Sequence, residues 1–144
     1  FAGEECIMSI GIGAYANLVL QDSNTVIYEY GGYNLNEEKY RNKSHVCDGF
    51  ITIQRNCFLE PEIHEKLKKM PSGKKKLITK RIPVYVNYTK YIEDGLIVVD
   101  NCSNCWNTTD NEKRIDVMAL HILFCLFLRY QEQGTMPEYI SYHM

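Results

Sequence analysis

Between Ile10 and Leu20 apolar side chains recur at every second position. Ile10, Ile12, Ala14, Ala16, Leu18 and Leu20 fall on one side, with Gly11, Tyr15 and Asn17 on the other. A period of two belongs to a strand with one face buried. Gln21-Asp22-Ser23-Asn24 supplies turn-forming side chains, and Thr25 to Tyr30 follows with β-branched and aromatic residues suited to a second strand. The pattern predicts an antiparallel hairpin. Gly31 to Asn36 reads as a loop and Gly49 to Ile53 as a third strand.

The period then changes. Pro61 stands where a first helical residue is favoured, Glu60, Glu62 and Glu65 complement a positive helix start, and Lys66, Lys68 and Lys69 complement its negative end. Ile63, Leu67 and Met70 recur at i, i+4 and i+7, so a short amphipathic helix is expected over about 61–70, stopped by Pro71-Ser72-Gly73. Leu77 to Val86 alternates again, with Ile78, Ile82, Val84 and Val86 on one face, and Leu96 to Val99 suits a short buried strand.

Thr109-Asp110-Asn111-Glu112 has the spacing of a capping box, and Gly134 with Pro137 forms a natural stop. A long helix over about 110–133 follows. From Val117 to Leu128 its single polar member is His121, and these twelve residues fall short of the roughly 20 needed to span a bilayer. The prediction is a core helix packed on most sides, not a membrane anchor. The fold class is therefore α+β, a single globular domain over 1–144. A mostly antiparallel sheet packs on one long buried C-terminal helix, with a short amphipathic helix beside it.

Composition leaves that picture unchanged: of 144 residues, 45% are apolar and 24% charged, near the averages for a soluble globular domain. Charge alters it. The net −2 conceals ten acids and four bases in residues 1–65, eight bases and no acid in 66–81, and eight acids and four bases in 82–144. Phosphate neutralisation usually needs a broad positive surface, so nucleic acid is not the expected partner. Lys68, Lys69, Lys74, Lys75 and Lys76 are the candidate partner-binding residues, suited to an acidic partner.

Six cysteines are too sparse for a disulfide-built scaffold, and no signal-peptide pattern opens the chain, so the expected compartment is the cytoplasm. Gly11-Ile12-Gly13-Ala14-Tyr15-Ala16 matches G-x-G-x-x-A, but a dinucleotide site needs a following helix for which there is no room. Glycines alternating on a strand leave one face flat instead, for an aromatic such as Tyr28 to lie across. His45 and Cys47 form an i, i+2 pair whose spacing specifies neither a nucleophile nor a base.

Cys102 and Cys105 with His121 and Cys125 give C-x2-C-x15-H-x3-C, a spacing compatible with structural zinc, because His121 and Cys125 share one helix face. Against it, Cys125 stands among Leu123, Phe124, Leu126 and Phe127, where a free thiol is a small hydrophobe. The plainer reading, turn cysteines and a core cysteine without metal, is preferred.

No catalytic motif or cofactor fingerprint appears, and the expectation is a non-catalytic domain that binds another protein. An immunity or antitoxin type, covering the active site of a basic toxin such as a nuclease, suits its size and charge pattern. The alternatives are a zinc-stabilised module (Cys102, Cys105, His121, Cys125) binding nucleic acid through 66–81, and an enzyme with a dispersed active site.

Overall fold

A computed structural model describes residues 10–109 and 114–144. The expected hairpin forms from β1, Ile12–Gln21, and β2, Thr25–Asn34. Its turn is held by Asp22, whose Oδ1 accepts from the backbone N–H of Asn24 and Thr25 at 2.8 and 2.7 Å. β3, Gly49–Gln54, pairs with the far side of β2, and β6, Ile97–Asp100, pairs with β3. At the opposite edge β7, Tyr139–His143, pairs with β1. The result is a five-stranded antiparallel sheet in the order β6-β3-β2-β1-β7. The class is α+β as expected.

The alternation in β1 holds only to Leu18. There the pairing slips, Leu18 opposing Tyr28 and Leu20 opposing Ile27, so a bulge at Val19 turns Leu20 outward to 49% exposure. β2 also continues through Gly31 and Gly32 to Asn34, where a loop was expected. Residues 42–47 cross this strand so closely that a Cβ on Gly31 would collide with the Val46 carbonyl. The glycines are there for close approach, not for a turn. At Gly13 the flat face is real, but the ring lying across it is Tyr33 rather than Tyr28. The G-x-G-x-x-A segment runs on as strand, without a helix to bind phosphate.

The largest departure lies at 61–70. Glu62–Lys69 is a strand, β4, paired antiparallel along its length with β5, Lys75–Ile82. Pro71-Ser72-Gly73 turns the chain: Met70 N donates to Lys74 O at 2.7 Å, Gly73 N to Met70 O at 2.9 Å, and Gly73 adopts φ 88. Three apolar residues on a helix this short cannot offset nucleation without a core to meet, and cross-strand pairing wins. The short helix lies elsewhere, as α1, Tyr88–Glu93, its N-terminus capped by the Asn87 side chain, which accepts from Lys90 N at 3.3 Å.

The long helix α2 runs Val117–Gln133, not from 110. Thr109 is not its cap. Thr109 N donates to Ile115 O, Thr108 bridges Asp116, and Asp116 caps the helix through an oxygen that accepts from Met118 N at 3.0 Å. Asp110, Asn111 and Glu112 of the expected capping box lie outside the described residues. Gly134, with φ 77, stops the helix as anticipated, its N–H reaching Tyr130 O.

α2 covers one face of the sheet. Met118, Ile122, Leu123, Leu126 and Phe127 pack against Ala14, Ala16, Tyr28, Tyr30, Ile51, Ile53 and Ile140 in one apolar cluster. The expectation of a largely buried helix holds, with one strip left open: Phe124 is 54% exposed and Leu128 37%. Among the described residues, no helix is long and apolar enough to cross a membrane.

Candidate functional site

The β4–β5 ribbon stands outside the core, with every residue of β4 and the first six of β5 exposed. Directly opposed residues of an antiparallel pair share a face, and neighbours along a strand alternate. The register therefore gathers Lys66, Lys68, Lys76 and Lys80 with Ile78 on one face, and Lys69, Lys75 and Arg81 with Ile63, Leu67 and Leu77 on the other, so each face mixes basic and aliphatic side chains. Leu67 and Leu77 oppose each other while 61% and 54% exposed. Away from the root, where Arg81 and Ile82 are partly covered, both faces are open to solvent.

Charge is most concentrated at the tip. Lys68 lies opposite Lys76 and Lys69 opposite Lys75, with Lys74 in the turn. Like charges directly opposed destabilise a strand pair, so the tip favours an external anion. Near its root the ribbon has a side-chain hydrogen bond between His64 Nε2 and Glu62 Oε2 at 3.2 Å. Lys68, Lys69, Lys74, Lys75 and Lys76 are thus brought together, on a strand-turn-strand unit rather than on a helix end and loop.

The ribbon root is fastened to α2. Arg81 Nε donates to Gln131 O at 2.8 Å. The Gln131 side chain, 2% exposed, treats Val84 as a strand neighbour, accepting from its N–H at 2.6 Å and donating to its carbonyl at 3.1 Å. Pro83 cannot donate to a ladder, which ends β5 and leaves Gln131 to hold the next residues. Between this held segment and α2 lies an apolar groove of about 310 Å³, lined by Pro83, Tyr85, Val86, Phe124 and Leu128 among others. The volume lies at the lower end of the range for ligand pockets, roughly 300–1,000 Å³. The sequence reading missed this groove; the one available signal was Phe124 and Leu128 spaced i, i+4 in a helix otherwise judged buried.

The four proposed zinc ligands do not converge. Cys102 Sγ donates to Asp116 Oδ2 at 3.7 Å and Cys105 Sγ to Asn107 O at 3.6 Å, whereas the His121 ring stacks on Tyr142 with centroids 4.3 Å apart. Cys125 lies half-buried on α2, and burial pushes its thiol pKa up. Among the described residues no three His, Cys, Asp or Glu side chains are grouped so as to hold a metal ion. The Cys102–Cys105 turn, closed by Cys105 N donating to Cys102 O at 3.2 Å, instead serves the helix cap. Burial raises the pKa of Asp116, against hydrogen bonds from Met118 N, Tyr30 and both thiols.

His45 and Cys47 do not form a reactive pair. The His45 ring stacks on Tyr15 with centroids 4.8 Å apart, and Cys47 Sγ approaches Tyr15 O at 4.0 Å. Burial first, then the Glu29 charge, raises the Cys47 thiol to about 11, the reverse of what a nucleophile needs. No family model, curated protein or solved structure matches the chain.

Proposed function

We propose that the chain is a non-catalytic protein-binding domain of immunity or antitoxin type, which neutralises a partner by seating its basic ribbon on an acidic surface. The mixture of lysines and exposed aliphatic side chains on the ribbon carries this reading. A phosphate backbone would satisfy the lysines but leave Ile63, Leu67, Leu77 and Ile78, exposed among them, without an apolar partner. Residues 62–82 also hold no tyrosine, tryptophan or phenylalanine to stack on bases, and their one arginine, Arg81, is engaged with Gln131. A protein surface with carboxylates around an apolar centre suits both faces at once. Carboxylates gathered at the active site of an otherwise basic nuclease are one such surface, and the acidic segments 1–65 and 82–144 suit the rest of that partner.

The experiment is co-expression with the product of the adjacent gene, followed by purification and calorimetry. A stoichiometric complex is expected, weakened at least tenfold when Lys68, Lys69, Lys74, Lys75 and Lys76 are all changed to Glu. Growth arrest by the neighbour should return with that variant. A neighbour without toxicity, or a complex indifferent to the five substitutions, rules the reading out.

A further inference from the structure

We infer that the groove between α2 and residues 83–89 is an anchor pocket for one bulky apolar side chain, aromatic or branched, standing beside an acidic extended segment of the partner protein. This rests on the ribbon reading above and adds to it a second contact with its own chemistry.

Position is the first argument. Ile82 is the last residue of β5 and Pro83 the first to line the groove, so basic arm and apolar pocket are consecutive in the chain. Arg81 and Val84, one from each surface, are both bonded to Gln131, which holds the two in a fixed relation. A partner whose acidic groups lie along the ribbon brings its next residues over the pocket.

Chemistry is the second. Tyr85, Phe124 and Leu128 are 83%, 54% and 37% exposed, a contiguous apolar rim of the kind that marks interaction sites. The buried amide in the groove, Gln131, already has Val84 on both its oxygen and its nitrogen. What the pocket offers a newcomer is mainly apolar area, and a side chain that fills it loses little polar hydration. Anchors of this kind, ringed by weaker polar contacts, hold most of the energy in protein interfaces.

Length is the third. The ribbon has eight paired positions, about 27 Å at roughly 3.4 Å per residue, which an extended segment of about eight residues matches. Among the described residues the ribbon has only two strands, each with one edge unpaired by a neighbouring strand, and an extended segment can add to such an edge through its backbone. The charge of residues 66–81, eight bases and no acid, requires that segment to be acidic.

Two fluorescein-labelled peptides test this against the full chain by anisotropy: acetyl-Phe followed by six glutamates, and the same peptide with Ala for Phe. The Phe peptide is expected to bind at least fivefold more tightly. Tyr85→Ser and Phe124→Ser, both at exposed positions, are expected to erase that difference while leaving the affinity for the Ala peptide unchanged. Equal binding of the two peptides, still dependent on Lys68 and Lys76, overturns the pocket and spares the ribbon reading. No binding of either peptide overturns the ribbon reading itself. A mixed-sequence DNA duplex that displaces both peptides and binds more tightly assigns the ribbon to nucleic acid and overturns both. Dimerisation in sedimentation velocity that Phe124→Ser abolishes places a second copy in the groove and likewise overturns the pocket.

Discussion

Asp116 is 1% exposed and receives the backbone N–H of Met118, the hydroxyl of Tyr30 at 3.0 Å and the thiol of Cys102. Tyr30 in turn accepts from Cys102 N at 3.0 Å, so cap, tyrosine and cysteine turn form one buried network. Asp116→Ala removes the cap, about 1 kcal/mol, and leaves a buried hydroxyl unpaired, about 1–3 kcal/mol, so urea unfolding should show a loss of roughly 2–4 kcal/mol. Asp116→Asn keeps the acceptor and should lose much less. The two should also differ from the parent in pH dependence. Burial raises the folded-state pKa above the ordinary 3.8, so the folded state retains a proton that the unfolded chain has released. This group's contribution is therefore full below about pH 3.8 and declines as pH rises through the raised value. Asp22 and Asp48, both lowered by hydrogen bonds, act in the opposite sense, losing their contribution as pH falls. Subtracting the Asp116→Asn profile from that of the parent isolates Asp116, and a difference that does not decline with rising pH contradicts the assignment. The same network predicts that protein purified without chelator holds no stoichiometric zinc by elemental analysis, since Cys102 and Cys105 turn to the cap and not to His121.

At the scale of elements the ribbon is the unit under tension. An isolated two-stranded hairpin is marginal in water, and this one sets two pairs of lysines against each other at its tip. Lys76→Glu converts the Lys68 pair to an attraction and should stabilise the ribbon by up to about 1 kcal/mol. Hydrogen exchange of the amides between 62 and 82 should slow several-fold, while affinity for the proposed acidic partner falls. Slower exchange with unchanged affinity places the partner elsewhere. The same element shows why local signals failed at 61–70. Proline at a first position, acids before bases and apolar residues at i, i+4 and i+7 all describe a helix that has a core to join. β4 has none, and its stability comes from β5, which no local window contains. Gly31 tells a similar story: read locally it is a loop residue, but what uses it is Val46.

Over the whole molecule, charge is segregated: eight bases on one projecting arm and an acidic remainder. Such an arrangement steers encounter more than it holds a complex. Raising salt from 0.05 to 0.5 M shortens the screening length from about 14 Å to about 4 Å, so stopped-flow association should slow by tenfold or more, with dissociation little changed. A salt-independent association rate would contradict steering by the arm.

The sequence alone determined the α+β class, the first hairpin, the strands at 49–53 and 96–99, the stop at Gly134 and the concentration of positive charge in 66–81. Each of these rests on short-range periodicity, turn chemistry or counting, which the chain carries within a few residues. Tertiary structure alone decided that 62–82 is a ribbon, that β7 closes the sheet beside β1, that Asp116 rather than Thr109 caps the long helix, and that one side of that helix stays open beside Tyr85. These outcomes depend on which distant segment offers the better hydrogen bond or the larger apolar area. That competition is settled between residues separated by tens of positions, where no local pattern reaches.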